Sequence, residues 1–260
     1  MTSYRRHPHP EHDRPALPRT VAARHKRLAR YAIALAVAAW LVAAMPHGAA
    51  YAEPTSAIAG APGEAINDPM RLVQGGVGEV IAVFNDKQMA LHDRREKLRA
   101  LAEKYFDFES MARSVMGYHW RELTPAHRAQ FVPLFASFIQ DAYLSKLQDY
   151  TVQKVQQELP TVKVQFTRET FEDADYAQVF SNINVTEQKD AIPVNYLMHL
   201  RNGEWKIYDV TVDAISVIAN YRNQFNRVMN TDGFDKLVAD LNVKLAGLQN
   251  DLENPPARHE

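Results

Sequence analysis

The sequence predicts an α+β fold, a single domain in which several helices cover one face of an antiparallel sheet of about four strands. Two observations predict it. Apolar residues keep helical spacing as far as about Lys146, alternate with polar ones between Val162 and Val212, and return to helical spacing after Ser216. Helices, a meander and helices again form a segregated order, and no internal repeat or second domain boundary interrupts it. With 260 residues, of which 46% are apolar and 10% aromatic, the chain has enough material for a real core.

Ahead of the domain lies a leader. Arg24, Lys26, Arg27 and Arg30 precede the apolar run YAIALAVAAWLVAAM and then Ala50, Tyr51 and Ala52. A basic segment, an apolar stretch and small residues at the cleavage positions predict a secretory signal peptide over 1–52, with a polar preamble before Arg24 and cleavage near Ala52. The run breaks at Pro46 and His47, short of the roughly 20 residues a membrane span needs. Residues 53–68 are rich in Ala, Gly, Pro and Ser and read as a flexible linker, because such a segment buries too little to offset its ordering entropy.

The domain is expected over 69–250. Leu72, Val73, Val77, Val80, Ile81 and Phe84 form one helical stripe, weakened by Gly75, Gly76 and Gly78, and Leu98, Leu101, Ala102 and Tyr105 form a second. A short helix ends at Gly117. Thr124 and Pro125, an N-cap and a first-turn proline, open a long helix whose Phe131, Leu134, Phe135, Phe138, Ile139, Ala142 and Tyr143 share a face. Pro133 should kink it or break its hydrogen bonding. Val162, Val164 and Phe166 alternate with polar residues in a half-buried strand, and Val179–Val185 and Pro193–Arg201 read as two more. Asn202-Gly203 signals a type I′ hairpin into EWKIYDVTV. Tyr208, Val210 and Val212 are expected to face the helices. Ser216 then caps a helix carrying Ile218, Tyr221 and Phe225, and a last helix carries Phe234, Leu237, Val238, Leu241, Leu245 and Leu248. Residues 251–260 read as a disordered tail.

Charge and chemistry narrow the function. Loss of 1–52 would remove 8 of 30 Lys and Arg and 2 of 31 Asp and Glu, leaving a mature net charge near −7. Such a chain repels nucleic acid and anionic membrane surface. With no cysteine, thiol catalysis and thiolate metal sites are excluded. No G-x-S-x-G, H-E-x-x-H, Walker or G-x-G-x-x-G motif is present. Outside the leader His92, His119, His127, His199 and His259 have no shared ligand spacing, which argues against zinc. His199 is expected to face solvent, and Asp209 and Asp213 to mark the wet face of the last strand. Arg222 is read as a solvated residue or a clamp for an anionic headgroup. The large apolar side chains, among them Phe84, Met111, Met116 and Met198, fit either a filled core or a lined cavity.

The stretches FDFESMARSVMGYHWRELTPAHRAQFVPLFASFI, DYTVQKVQ and IPVNYLMHLRNGEWKIYDVTVDAISVIANYRNQFNRVMNTDGFDKLVADL resemble the MlaC, or toluene-tolerance, family of periplasmic phospholipid-binding proteins. Phe106-Asp107-Phe108, Gly117, Trp120-Arg121, Leu123-Thr124-Pro125, Trp205-Lys206, Tyr208-Asp209-Val210, Asn220-Tyr221-Arg222 and Gln224-Phe225 lie in family order from about Pro69 to Leu248. Where the family usually has Glu-Gly, this chain has Asp213-Ala214, so a special glycine conformation is not expected there.

The resemblance implies a soluble periplasmic carrier, not an enzyme, with no cofactor and with bound phospholipid as cargo. Its expected partners are the inner-membrane Mla ABC transporter complex and the outer-membrane Mla lipoprotein complex, and it is expected to be a monomer. Acyl chains would occupy an apolar cavity between sheet and helices, lined by Phe131, Phe135, Phe138, Val164, Phe166, Tyr196, Val210, Val212, Ile218, Tyr221 and Phe225. Two alternatives remain open: a carrier of another lipid from the hopanoid-associated branch, and a small-molecule enzyme using Asp209, Asp213 or His199.

Overall fold

A computed structural model describes residues 68–148, 162–185 and 190–254. The expected leader, most of the linker and residues 255–260 of the expected tail lie outside them. Asp68 caps α1, Pro69–Asn85, by accepting the Arg71 amide at 3.0 Å. Leu91–Tyr105 forms α2, Phe108–Met116 α3 and His119–Glu122 the single turn α4. Gly117 ends α3 at φ 57°, which a residue with a side chain adopts reluctantly.

The Thr124 hydroxyl accepts the His127 amide at 3.1 Å, so the cap read from the sequence opens α5, Pro125–Gln148. This helix runs on through Pro133 without a break. The proline is exposed, and so is Ala129, whose carbonyl loses its partner, so water can satisfy the group that the ring displaces.

Strands β1 (Val162–Phe171), β2 (Tyr176–Val185), β3 (Ile192–Arg201) and β4 (Glu204–Val212) form an antiparallel meander, joined at its edge by a two-residue fifth strand, β5 (Ile215–Ser216). Asn202 at φ 53° and Gly203 at φ 81° make the β3–β4 turn with the two positive φ angles of a type I′ hairpin. The next turn corrects the expectation at Asp213-Ala214. Both residues have positive φ, 49° and 65°, and the Val212–Ile215 pairing holds them there without a glycine.

One sheet face carries Val179, Ile183, Val194, Tyr196, Met198, Val210 and Val212, all buried. Helix α1 packs over β1 and β2, while α2, α3 and α6 (Val217–Thr231) pack over β4. Helix α7, Gly233–Glu253, lies on α5 and α6. It continues past the expected end at 250, because Leu252 is buried and its carbonyl accepts Arg95. Arg99 forms a salt bridge with the buried Asp141 and Gln249 donates to the same carboxylate at 3.2 Å, tying α2, α5 and α7 together.

Candidate functional site

The interior between α5 and α6 is aromatic. Phe131 and Phe135 stack at 5.8 Å, and Phe225 meets them edge-on at 6.1 and 6.3 Å. Tyr221 packs edge-on to Phe138 at 5.7 Å and lies 5.9 Å from Phe225. Ile218 is buried one turn ahead on α6, and the strand register sets Tyr196 opposite Val210. Val212 lies two residues further along the same face. Val164 and Phe166 share the sheet face but stand on β1, three strands from β4, and are only half-buried. The predicted set therefore divides into a ring cluster with its adjoining strands and a separate pair at the far edge. In the ring cluster the side chains interlock where an open cavity was expected.

The start of α6 explains how its rings are aimed. Ser216 Oγ accepts the Ala219 amide at 2.9 Å and donates to Asp209 Oδ2 at 2.5 Å, while Asp209 Oδ1 accepts the amides of Val210 at 2.8 Å and Ile218 at 3.2 Å. An acidic oxygen at a helix N-terminus satisfies amides that have no partner within the helix. This corrects the reading of Asp209 as a wet-face residue: it is buried, and burial pushes its carboxyl up despite the opposing hydrogen bonds from Ser216 and the two amides. Ser216 and the first turn of α6 cover it, and the strand beside it bulges. Leu197 pairs with Asp209 and Met198 with Ile207, so Tyr208 is an extra residue, and Trp205, Ile207, Val210 and Val212 share the helix-facing side. Tyr208 does not point there with them; it packs 5.2 Å from His199 and 6.1 Å from Tyr176 on the opposite face.

His199 is likewise buried, against the expectation that it faces solvent. Its Nε2 lies 2.9 Å from Asp107 Oδ2, and Asp107 also accepts the Ser110 amide and hydroxyl, each at 2.8 Å. Burial alone would raise the Asp107 carboxyl; the bonds from His199 and Ser110 outweigh it and hold the group well below the usual carboxylate range. The isolated Phe106–Ile207 bridge lays this segment along the edge of β4 and so brings Asp107 over the sheet. Asp213 is exposed, in keeping with the wet face it was expected to mark. Arg222 donates from Nε to the Ser114 carbonyl at 2.7 Å and packs over Gly117, joining α6 to α3. Among the described residues no group of three or more His, Cys, Asp or Glu could hold a metal ion, and no helix is long and apolar enough to cross a membrane.

A shallow, partly open cleft with about 10 Å³ of free space lies between α2, α3 and α5, lined by Ala102, Phe106, Phe108, Met111, Ile139, Gln140 and Tyr143. None of the eleven predicted lining residues belongs to it. Periodicity placed Ile139 and Tyr143 on the apolar face of the long helix, but only the crossing of three helices brings them beside Phe106 and Phe108. The Tyr143 hydroxyl is hydrogen-bonded to that of Tyr221, so this side chain stands between the cleft and the ring cluster. Burial pushes both phenols up, Tyr221 to about 12.

Comparison with known proteins gives matches of three kinds. The model of the family described as MlaC protein matches residues 74–243. The chain is 20% identical over 181 residues to the intermembrane phospholipid transport system binding protein MlaC of Haemophilus influenzae, covering 66% of this chain and 80% of that protein. A phospholipid-binding protein from Ralstonia solanacearum, solved in complex with a phospholipid, superposes with a TM-score of 0.57 at 22% identity, covering 70% of this chain and 99% of that one. The last match shows a shared fold.

Proposed function

The chain belongs to the MlaC protein family, and from that membership we propose that it is a periplasmic phospholipid carrier that exchanges its cargo with an inner-membrane Mla ABC transporter complex and an outer-membrane Mla lipoprotein complex. The observation that carries the proposal is the family match across 74–243, which spans α1 to α7 and includes the ring cluster. The leader read from the sequence would deliver the chain to the periplasm, with cleavage near Ala52.

The physical task fits such a protein. Two acyl chains carry about 30 methylenes, and exposing them to water costs about 25 kcal/mol at about 0.8 kcal/mol each. A carrier has to enclose them and still release them, so its walls should bind about as well as a bilayer does. Carbon surfaces such as those of Phe131, Phe135 and Phe225 suit that better than convergent charges, which would hold one headgroup and retain it. The interlocked rings require α5 and α6 to part when tails enter.

The test is native mass spectrometry of protein purified without detergent, combined with uptake from phosphatidylglycerol and phosphatidylethanolamine vesicles. Bound phospholipid is expected. Protein that is lipid-free and takes none from vesicles would overturn the proposal, and a bound hopanoid in place of phospholipid would move the protein to a different cargo.

A further inference from the structure

We propose that the end of α3, the turn α4 and the facing side of α6 form a docking surface for an acidic segment of another protein, one carrying carboxylates two or three residues apart. The proposal goes beyond the carrier reading and does not depend on it. The guanidinia of Arg113, Arg121, Arg128 and Arg222 gather here, in a chain whose carboxylates outnumber its cations. Trp120 is their centre: the guanidinium carbon of Arg128 lies 5.3 Å from the middle of its ring and that of Arg113 5.9 Å. Arg128 Nε donates to the Trp120 carbonyl at 3.1 Å, and Arg222 Nε donates at 2.7 Å to the carbonyl of Ser114, the residue after Arg113. Arg121 follows Trp120 in the chain and is exposed. Cations held over an indole ring are attracted by its face and lose freedom there. Their remaining donors are thus ordered before any partner arrives, which lowers the cost of binding.

What these cations lack is counter-charge. Among the described residues Arg121, Arg128 and Arg222 form no ion pair with a carboxylate, whereas Arg71, Arg99, Lys104, Lys206 and Lys236 each do. The nearby acids do not neutralise the group. Glu122 is engaged by His119 Nδ1 at 2.9 Å, and Glu109 reaches Arg113 only at 3.7 Å between two exposed side chains, a pair that solvent screens. A planar guanidinium matches a carboxylate with two parallel hydrogen bonds. Tyr118, 55% exposed, stands beside them with its hydroxyl tied to Asn230 on α6, and Arg with Tyr is the pairing of side chains that anchors protein interfaces. The distances of Arg113 and Arg128 from their shared ring keep the two within about 11 Å of each other. An extended segment spans that with carboxylates two or three residues apart, at about 3.4 Å per residue. An anionic bilayer fits less well, because its plane would also face the acidic remainder of the chain. A narrow segment meets the patch alone, within a screening length of about 8 Å.

The test follows fluorescence anisotropy of two labelled peptides added to the full mature protein, one alternating glutamate with serine and the other with glutamine in place of glutamate. Phosphatidylglycerol vesicles serve as a third probe. The glutamate peptide is expected to bind and the glutamine peptide not, with an affinity that falls as salt rises. Arg113→Glu and Arg121→Glu, both at exposed side chains, should each weaken the glutamate peptide about tenfold. Lys163→Glu, the same charge change at an exposed position of the edge strand β1, should leave its binding unchanged. Phospholipid uptake should be the same in all three variants, so failure of the docking surface leaves the carrier reading standing. Equal weakening by Lys163→Glu would reduce the effect to net charge and overturn the surface, as would equal binding of both peptides or binding of neither. Vesicles bound through Arg113 and Arg121 while the glutamate peptide is ignored would assign the patch to a bilayer and overturn the protein partner.

Discussion

Replacing Phe225 with Ala asks whether the space between α5 and α6 is core, lipid wall or both. The ring is 5% exposed and meets Phe131, Phe135 and Tyr221 at centroid separations of 6.1, 6.3 and 5.9 Å. Truncating a buried Phe costs about 3–5 kcal/mol, the larger part being the transfer and cavity terms and the rest the edge contacts. In delipidated protein we expect a loss of about 3–4 kcal/mol, which for a domain of this size lowers Tm by roughly 6–15 °C. In phospholipid-loaded protein the loss should shrink to about half, because flexible methylenes can occupy the volume the ring leaves. Urea unfolding of both forms, with equal slopes to establish that only stability changed, measures the two values. A loss below about 1 kcal/mol without lipid would refute the packed layer, since no interlocked ring is lost so cheaply. An equal loss in both forms would show that lipid never reaches this part of the interior.

Arg99→Met alone should cost about 3–5 kcal/mol by leaving Asp141 buried beside Gln249 as its remaining partner, while Arg99→Met combined with Asp141→Leu should recover most of it, measured by urea unfolding. The Asp107 carboxyl titrates lower when folded than unfolded, so its contribution is present above the ordinary carboxylate value and lost as pH falls below it; Asp107→Asn should flatten the acid limb of a stability–pH curve there. Asp209 has the opposite sign: its folded value is raised, so it costs stability as pH rises through the carboxylate range, and Asp209→Asn should remove that slope. Ala214→Gly relieves a left-handed residue at φ 65° against the added freedom of the unfolded chain, and should stabilise by about 0.5 kcal/mol in thermal unfolding.

Periodicity made the elements legible because each depends on near neighbours. The caps at Thr124 and Ser216 and the Asn202-Gly203 turn are local chemistry, and all three are present in the structure. What the sequence hid is what distant segments impose on one another. Strict alternation puts Tyr208 with Val210 and Val212, but an unpaired residue opposite Leu197 and Met198 shifts the phase, and no residue type announces that bulge. His199 looks solvent-facing within its strand and is buried because Asp107, 92 positions earlier, is laid along the β4 edge and the rings of Tyr176 and Tyr208 pack beside it. The candidate site shows the same division. The ring cluster belongs to two well-patterned helices, while the cleft needs three helices to cross and appears in no single pattern.

That division bears on how a tightly packed interior can carry lipid. An edge-on aromatic pair adds only about 0.5–1.5 kcal/mol beyond the area it buries. When α5 and α6 part around an acyl chain, ring surface stays covered by methylenes in place of other rings, so the larger area term is conserved and the smaller geometric one is lost. Opening is then inexpensive so long as a tail follows the separation, and costly if water does. An interior closed by rings therefore opens only as far as a chain is there to fill it. The polar ties at both ends, Asp209 holding the start of α6 and Asp141 holding α2 and α7 to α5, keep the helices attached while the layer between them yields. If that division of labour holds, weakening Asp141 should speed lipid release as well as lower stability. Phe225→Ala costs the loaded form less than the empty one, so it should lower stability while holding lipid more tightly and slowing its release, and stopped-flow transfer to acceptor vesicles separates the two.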